Sequence, residues 1–218
     1  MSAFDAAAAR APARHSRLDA LKARPPKPGE ASFFYQDHHF KHDAVKVLPG
    51  EYYVTADDLM VMTVLGSCIA ACIWDPRVRV GGMNHFLLAE QSGSAKDRYG
   101  ASARYGAFAM EQLINKVLSM GSGRKQNLEI KVFGGGKINA ALDDVGGKNI
   151  EFVRQFLLDE GYRLDKEDLG GTYARRVLFK PHSGRAFVKR LDNMAGANVA
   201  REEMAIVTRP VIKPPVDD

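Results

Sequence analysis

The chain has 218 residues, 45% of them hydrophobic, with a formal net charge of +5, enough for one domain with a substantial core and room for tails. Residues 1 to 30 hold six Lys/Arg against three Asp/Glu, so much of the positive excess sits at the start, and the balance elsewhere is too even to imply nucleic acid as a partner. No apolar run approaches the ~20 residues that span a bilayer and no signal-peptide pattern opens the chain, so a cytoplasmic protein without membrane insertion is expected.

The opening stretch, "MSAFDAAAARAPARHSRLDALKARPPKPGE", is rich in Ala, Arg and Pro and shows no sustained apolar face. Such a segment buries too little to offset its ordering entropy, so residues 1–43 are expected to form a flexible leader, with a transient helix over "RHSRLDALKAR". "FFY" (33–35) is a candidate docking patch, and "DHHFKHD" (His38, His39, His42) a solvated entry segment whose histidines form no recognised metal pattern. Seven of the ten prolines (Pro12, Pro25, Pro26, Pro28, Pro210, Pro214, Pro215) fall near the two ends. The folded body is therefore expected over residues 44–191, with residues 192–218 as a C-terminal tail.

Within the body, "LMVMTVL" (59–65), "CIAACIW" (68–74) and "VGGMNHFLL" (80–88) have β character. "CIAACIW" is apolar on both faces, with Cys68, Ala70, Cys72 and Trp74 on one and Ile69, Ala71 and Ile73 on the other, so it must be covered on both sides. A helix follows over "ARYGAFAMEQLINKVLSMG", where Met110, Leu113, Ile114, Val117 and Leu118 share a face and Gly121 supplies the stop. "LEIKVF" (128–133) reads as a buried strand. A second helix is expected to open on Asn149 as N-cap, carry Ile150, Val153, Phe156 and Leu157 inward, and end at Gly161. "TYARRVLF" and "RAFVKRL" flank the turn "KPHSG", a hairpin with Gly184 available for positive φ. "VFGGGKIN" lacks the spacing of a phosphate loop and is read as close backbone packing. Together these elements predict an α+β fold, layered, with mostly antiparallel strands and two main helices on one side.

The chemistry-bearing candidates are Cys68 and His85, on either side of "WDPRVR". A two-residue turn closed by Asp75 and Val78 would set them opposite each other with Cβ atoms about 5 Å apart, but Pro76 cannot adopt the positive φ such turns favour. A four-residue loop closed by Asp75 and Val80 moves His85 to the diagonal and keeps it on the face of Cys68; a bulge at Gly81-Gly82 would separate them. A thiol beside a base is the usual makeup of a cysteine nucleophile, and Gly66-Ser67 ahead of it let backbone N–H groups turn toward one point, the ingredient of an oxyanion hole. The bland alternative is a buried structural cysteine and a structural histidine. Cys72 belongs to the core. Two cysteines four apart neither bridge along a strand nor make a zinc pattern, so no metal is expected.

The run "LGSCIAACIWDPRVRVGGMNHFLL" closely resembles the signature of the chemoreceptor glutamine deamidase family of bacterial chemotaxis, the CheD-type proteins. The resemblance continues through "RYGAFAMEQLINKVLSMG", "LEIKVFGGG", "NIEFVRQFLLDEGYRL" and "DLGGTYARRVLF", from about Tyr52 to Leu191. It implies a three-layer α/β/β sandwich with a deamidase domain over 44–191. It also implies Cys68 as nucleophile, His85 as general base and acid, Thr63 orienting the histidine, and backbone N–H groups near Gly66 and Ser67 holding the oxyanion. The implied reaction is cofactor-free hydrolysis of selected glutamine side chains on methyl-accepting chemotaxis receptors. The alternative it leaves open is a binding module for a CheC-type phosphatase.

Overall fold

A computed structural model describes residues 14–88, 101–138 and 144–207. Most of the expected leader belongs to the fold, which corrects the flexible reading from residue 14 onward. Helix α1 (Arg14–Lys22) is followed by strands β1 (Phe33–Asp37) and β2 (His42–Lys46), paired as an antiparallel hairpin. Leu18, Leu21, Ala31 and Phe34 are buried in the central core, so a few well-spaced apolar residues anchor a segment whose average composition hides them. The histidine cluster forms the hairpin turn and its exit, and it is solvated as expected at His38 and His39, which are exposed. Asp37 Oδ1 accepts from the backbone N–H of His39 and Phe40, and His42 Nε2 contacts Asp58. Residues 1–13 of the leader and 208–218 of the tail lie outside the described residues.

The chain continues through β3 (Tyr52–Thr55), β4 (Met60–Leu65), β5 (Ile69–Asp75) and β6 (Val80–Asn84). Then come α2 (Ala101–Met120), β7 (Glu129–Gly134), α3 (Val145–Asp159), β8 (Leu164–Leu169), β9 (Arg175–Lys180), β10 (Arg185–Arg190) and α4 (Asn193–Val207). Among the described residues two five-stranded sheets result, with orders β1-β2-β4-β9-β10 and β3-β6-β5-β7-β8. Among the strand pairs of the described residues, β2–β4 and β7–β8 are parallel and the rest antiparallel. Central strand β5 shows why there are three layers. Cys68, Ala70 and Cys72 pack with Val45, Val61, Val177 and Phe179 between the sheets, while Ile69, Ala71 and Ile73 pack under Met110, Leu113 and Val117 of α2 and Val153 and Leu157 of α3. Helices, sheet and second sheet form the expected α/β/β sandwich.

The β5–β6 hairpin has the four-residue loop, with Asp75 paired to Val80 and Cys72 to Met83. The register holds past the glycine pair, since Ile69 still bridges Phe86; Gly81-Gly82 instead admit close neighbours, a Cβ at Gly82 falling 2.4 Å from the Tyr53 carbonyl oxygen. Two expectations are corrected. Helix α3 begins earlier, capped by Asp144, whose carboxylate accepts from Gly147 N–H, so that Asn149 lies inside the helix; the glycines of its first turn disguise the start. The tail after Asp192 is helical through Val207, with Asp192 accepting from Ala195 N–H at 2.9 Å; residues 193–207 contain no proline and are rich in Ala, Glu and Met, good helix formers.

Candidate active site

The loop Gly66-Ser67-Cys68 carries the chain from β4 in one sheet to β5 in the other, and all three of its carbonyls are engaged. Gly136 N–H donates to Gly66 O at 2.7 Å and Gly135 N–H to Cys68 O at 2.8 Å. Asn149 Nδ2 donates to Ser67 O at 2.8 Å, while its Oδ1 accepts from Leu88 N–H. With the carbonyls drawn to one side, the three N–H groups turn to the other and converge. The glycine run behind the loop is close backbone packing, as its spacing suggested: a Cβ at Gly134 would lie 2.0 Å from the Cys68 carbonyl oxygen, and Gly134 and Gly135 have φ of 117° and 65°.

His85 follows β6, and its backbone is tied on both sides, its N–H to Glu51 O at 3.0 Å and its carbonyl from Gly50 N–H at 2.8 Å. Its Nδ1 lies 2.8 Å from Thr63 Oγ1, which reaches across from β4 in the opposite sheet. Thr63 has one hydroxyl proton, and it is donated to Val47 O at 2.8 Å. The Thr63 oxygen must therefore accept from Nδ1–H, which leaves the lone pair of a neutral imidazole on Nε2. That atom is buried without a hydrogen-bond partner in the protein. Burial chiefly lowers the His85 pKa to about 4, so the ring is neutral near pH 7, the form that accepts a proton. Thr63, Cys68 and His85 are all buried, and sulfur and imidazole lie within 4.8 Å of each other. Cys72, though buried on the same strand face, has no such neighbour: its thiol is pushed up by burial, opposed only by Lys131.

A residue outside every expectation completes the site. The carboxylate of Glu203, on α4, sits where the loop N–H groups converge. Its Oε1 accepts from Gly66 N–H at 2.9 Å and Cys68 N–H at 3.2 Å, and its Oε2 from Ser67 N–H at 2.8 Å and Ser67 Oγ at 2.6 Å. Gly66 leaves the room, for a Cβ there would stand 2.8 Å from Oε2. Burial first, and then the charge and hydrogen bonding of Glu203, push the Cys68 thiol well above its usual range. The ligand atoms of Cys68, His85 and Glu203 all lie within 4.8 Å of one another, the makeup of a three-residue metal site. Both carboxylate oxygens are already committed to N–H and O–H donors, however, which is the arrangement of a hydrogen-bonded anion. A helical reading of "ANVAREEMAIV" was the one signal that could have exposed Glu203.

A thiol, a histidine with an unpartnered buried nitrogen, a threonine behind the ring and a nest of N–H groups are the groups that thiol-type acyl transfer employs, gathered here on an α/β/β sandwich. The profile of the family described as "CheD chemotactic sensory transduction" matches residues 87–190. A protein named "Probable chemoreceptor glutamine deamidase CheD 1" from Albidiferax ferrireducens is 50% identical over 190 residues, 86% of this chain and 79% of the relative. Proteins named "Probable chemoreceptor glutamine deamidase CheD" from Halorhodospira halophila and Paraburkholderia xenovorans are 47% and 44% identical, over 78% and 81% of this chain and 80% and 71% of theirs. The chain belongs to the CheD family. Among solved structures, Bacillus licheniformis hypothetical protein YfiH is similar at a TM-score of 0.34 and 13% identity, covering 56% of this chain and 49% of that one, too slight a likeness to bear on the site. Among the described residues no helix is long and apolar enough to cross a membrane.

Proposed function

We propose that this protein is an amidohydrolase, specifically a protein-glutamine glutaminase, that converts selected glutamine side chains of methyl-accepting chemotaxis receptors to glutamate. The observation that carries the mechanism is the Val47–Thr63–His85 relay, which leaves Nε2 of a neutral imidazole as the free base of a ring that lies beside Cys68, a ring nitrogen and the sulfur being within 4.8 Å; the names of the 44–50% identical relatives carry the substrate.

Nε2 takes the thiol proton as Sγ bonds to the carboxamide carbon, and the amide oxygen, now an anion, is held by the N–H groups of Gly66, Ser67 and Cys68. Each such donor lowers the barrier by about 3 kcal/mol in comparable sites. His85 then passes the proton to the departing nitrogen, the C–N bond breaks and ammonia leaves. Water, losing a proton to Nε2, cleaves the thioester; the thiol is restored and the product is glutamate. The stoichiometry consumes only water. A surface built solely to grip a CheC-type phosphatase would have no physical need for this constellation, which favours catalysis over that alternative.

The test is mass spectrometry of receptor fragments incubated with the protein. Each converted glutamine gains about one mass unit, the amide-to-acid change of this chemistry, and Cys68→Ala abolishes the gain while the variant still melts cooperatively. Undiminished turnover by Cys68→Ala would refute the mechanism.

A further inference from the structure

Helix α4 lies on the body by one face. Val199 and Glu203, four residues apart and so on one helical face, are buried, whereas Met194, Ala197, Asn198, Arg201 and Glu202 are exposed. One valine is a small apolar anchor. Beside it on the same face stands the carboxylate, which takes four donors from the loop Gly66-Ser67-Cys68.

Hydrolysis of a glutamine side chain replaces its amide nitrogen with oxygen, so the product at the reacting carbon is a glutamate carboxylate. Glu203 is that group, presented by a helix, bound in the nest of N–H donors and beside both Cys68 and His85. A residue serving only to pin the tail would have no reason to end on the same three N–H groups that an oxyanion requires.

We propose that α4 is a built-in product mimic: Glu203 fills the carboxamide subsite in cis, shielding Cys68, and the helix must leave before a receptor glutamine can enter. This rests on the deamidase reading and adds regulation of that site. The occupied state is chemically quiet, because the neighbouring carboxylate and burial both disfavour the thiolate. Release gives up, among its contacts, the four hydrogen bonds of Glu203, which entering substrate partly replaces, so α4 acts as a tethered competitor whose effect weakens as receptor concentration rises.

The experiment uses the full chain in five forms: wild type, Glu203→Ala, Val199→Ser, Glu203→Gln, and Glu203→Gln combined with Cys68→Ala. Iodoacetamide labelling of Cys68 is followed by peptide mass, beside turnover of a receptor fragment. Glu203→Ala is expected to label about tenfold faster, because it uncovers the sulfur and removes the neighbouring carboxylate that disfavours the thiolate, and to turn over dilute receptor faster than wild type. Val199→Ser, which loosens the same face without touching the nest, shifts both in the same direction and decides the matter if Glu203→Ala does not fold. Glu203→Gln places a substrate amide in the subsite, so the introduced carboxamide is hydrolysed back to a carboxylate at a rate independent of protein concentration, and in the Cys68→Ala background it persists. Labelling and turnover unchanged in folded Glu203→Ala, with the amide of Glu203→Gln intact while receptor is deamidated, would overturn the mimic and leave the deamidase standing. Faster labelling with no amide hydrolysed anywhere would keep the occupied subsite and sink the deamidase reading.

Discussion

The two cysteines at and near the start of β5 make the most instructive comparison in the molecule. Cys68 and Cys72 stand on the same face of one continuous run, both free and both buried between the sheets, and burial pushes both thiols up. Burial therefore does not distinguish them. What does is the backbone at the strand's edge: at Cys72 the chain is in regular ladder pairing with β6 and β7, whereas at Cys68 it is leaving the sheet, its N–H free to join those of Gly66 and Ser67. The sheet's end is where polar groups escape the ladder and become available to chemistry.

The largest expected break in that comparison is at the imidazole. Replacing His85 with Asn removes the base and should lower receptor deamidation by about 10²–10⁴-fold, reducing Cys68 to the inertness of Cys72; a loss below tenfold would show that the thiol does not depend on this ring. The same residue carries a stability signature. Its pKa falls from 6.5 when unfolded to about 4 when folded, so as pH drops below 6.5 the unfolded chain binds a proton that the folded chain refuses. Stability held above pH 6.5 is thus lost progressively as pH falls toward about 4, and denaturant melts of His85→Asn should lack that portion of the slope. A step smaller is Thr63→Val, nearly the same shape, which strips Nδ1–H of its acceptor and frees the ring to turn. A loss on the order of 10²-fold is expected, falling on kcat rather than KM, and equal kcat in the variant would remove Thr63 from the mechanism.

How much of this was legible follows from which contacts are local. The β5–β6 loop length was within reach, because Pro76 disfavours the two-residue turn, but a bulge at Gly81-Gly82 stayed open and the register itself came only with the pairing of Asp75 with Val80 and of Ile69 with Phe86. Thr63 was reachable only through resemblance: β4 joins the other sheet, and nothing in the spacing of 63 and 85 tells that two sheets bring them within 2.8 Å. Polar strand β8, "LDKEDL", escaped notice as an edge whose pairing is wholly with β7. Asn149 was seen as a cap because its residue type suits one, though its side chain spans α3 to the Ser67 carbonyl. Glu203 was hidden by averaging a proline-free helix into a tail with prolines at 210, 214 and 215.

Asn149 offers the finest probe of the comparison, since it acts on the Cys68 end of β5 and leaves Cys72 untouched. Asn149→Ala strands the Leu88 N–H and the Ser67 carbonyl in a buried site, which should cost about 1–3 kcal/mol of stability, readable as an earlier denaturant midpoint with unchanged slope. Its second effect is more telling. Without the Nδ2 donor the middle carbonyl of the loop is no longer held back, and the Ser67 N–H loses its aim, so kcat should fall beyond anything the stability loss explains at temperatures where the variant is fully folded. Cys72→Ala is the matched control, a buried truncation in the same strand costing about 1–2 kcal/mol with kcat unchanged. If the two variants lose stability alike and also keep activity alike, the loop holds its shape without Asn149, and the glycine contacts at Gly66 and Cys68 alone orient the N–H nest.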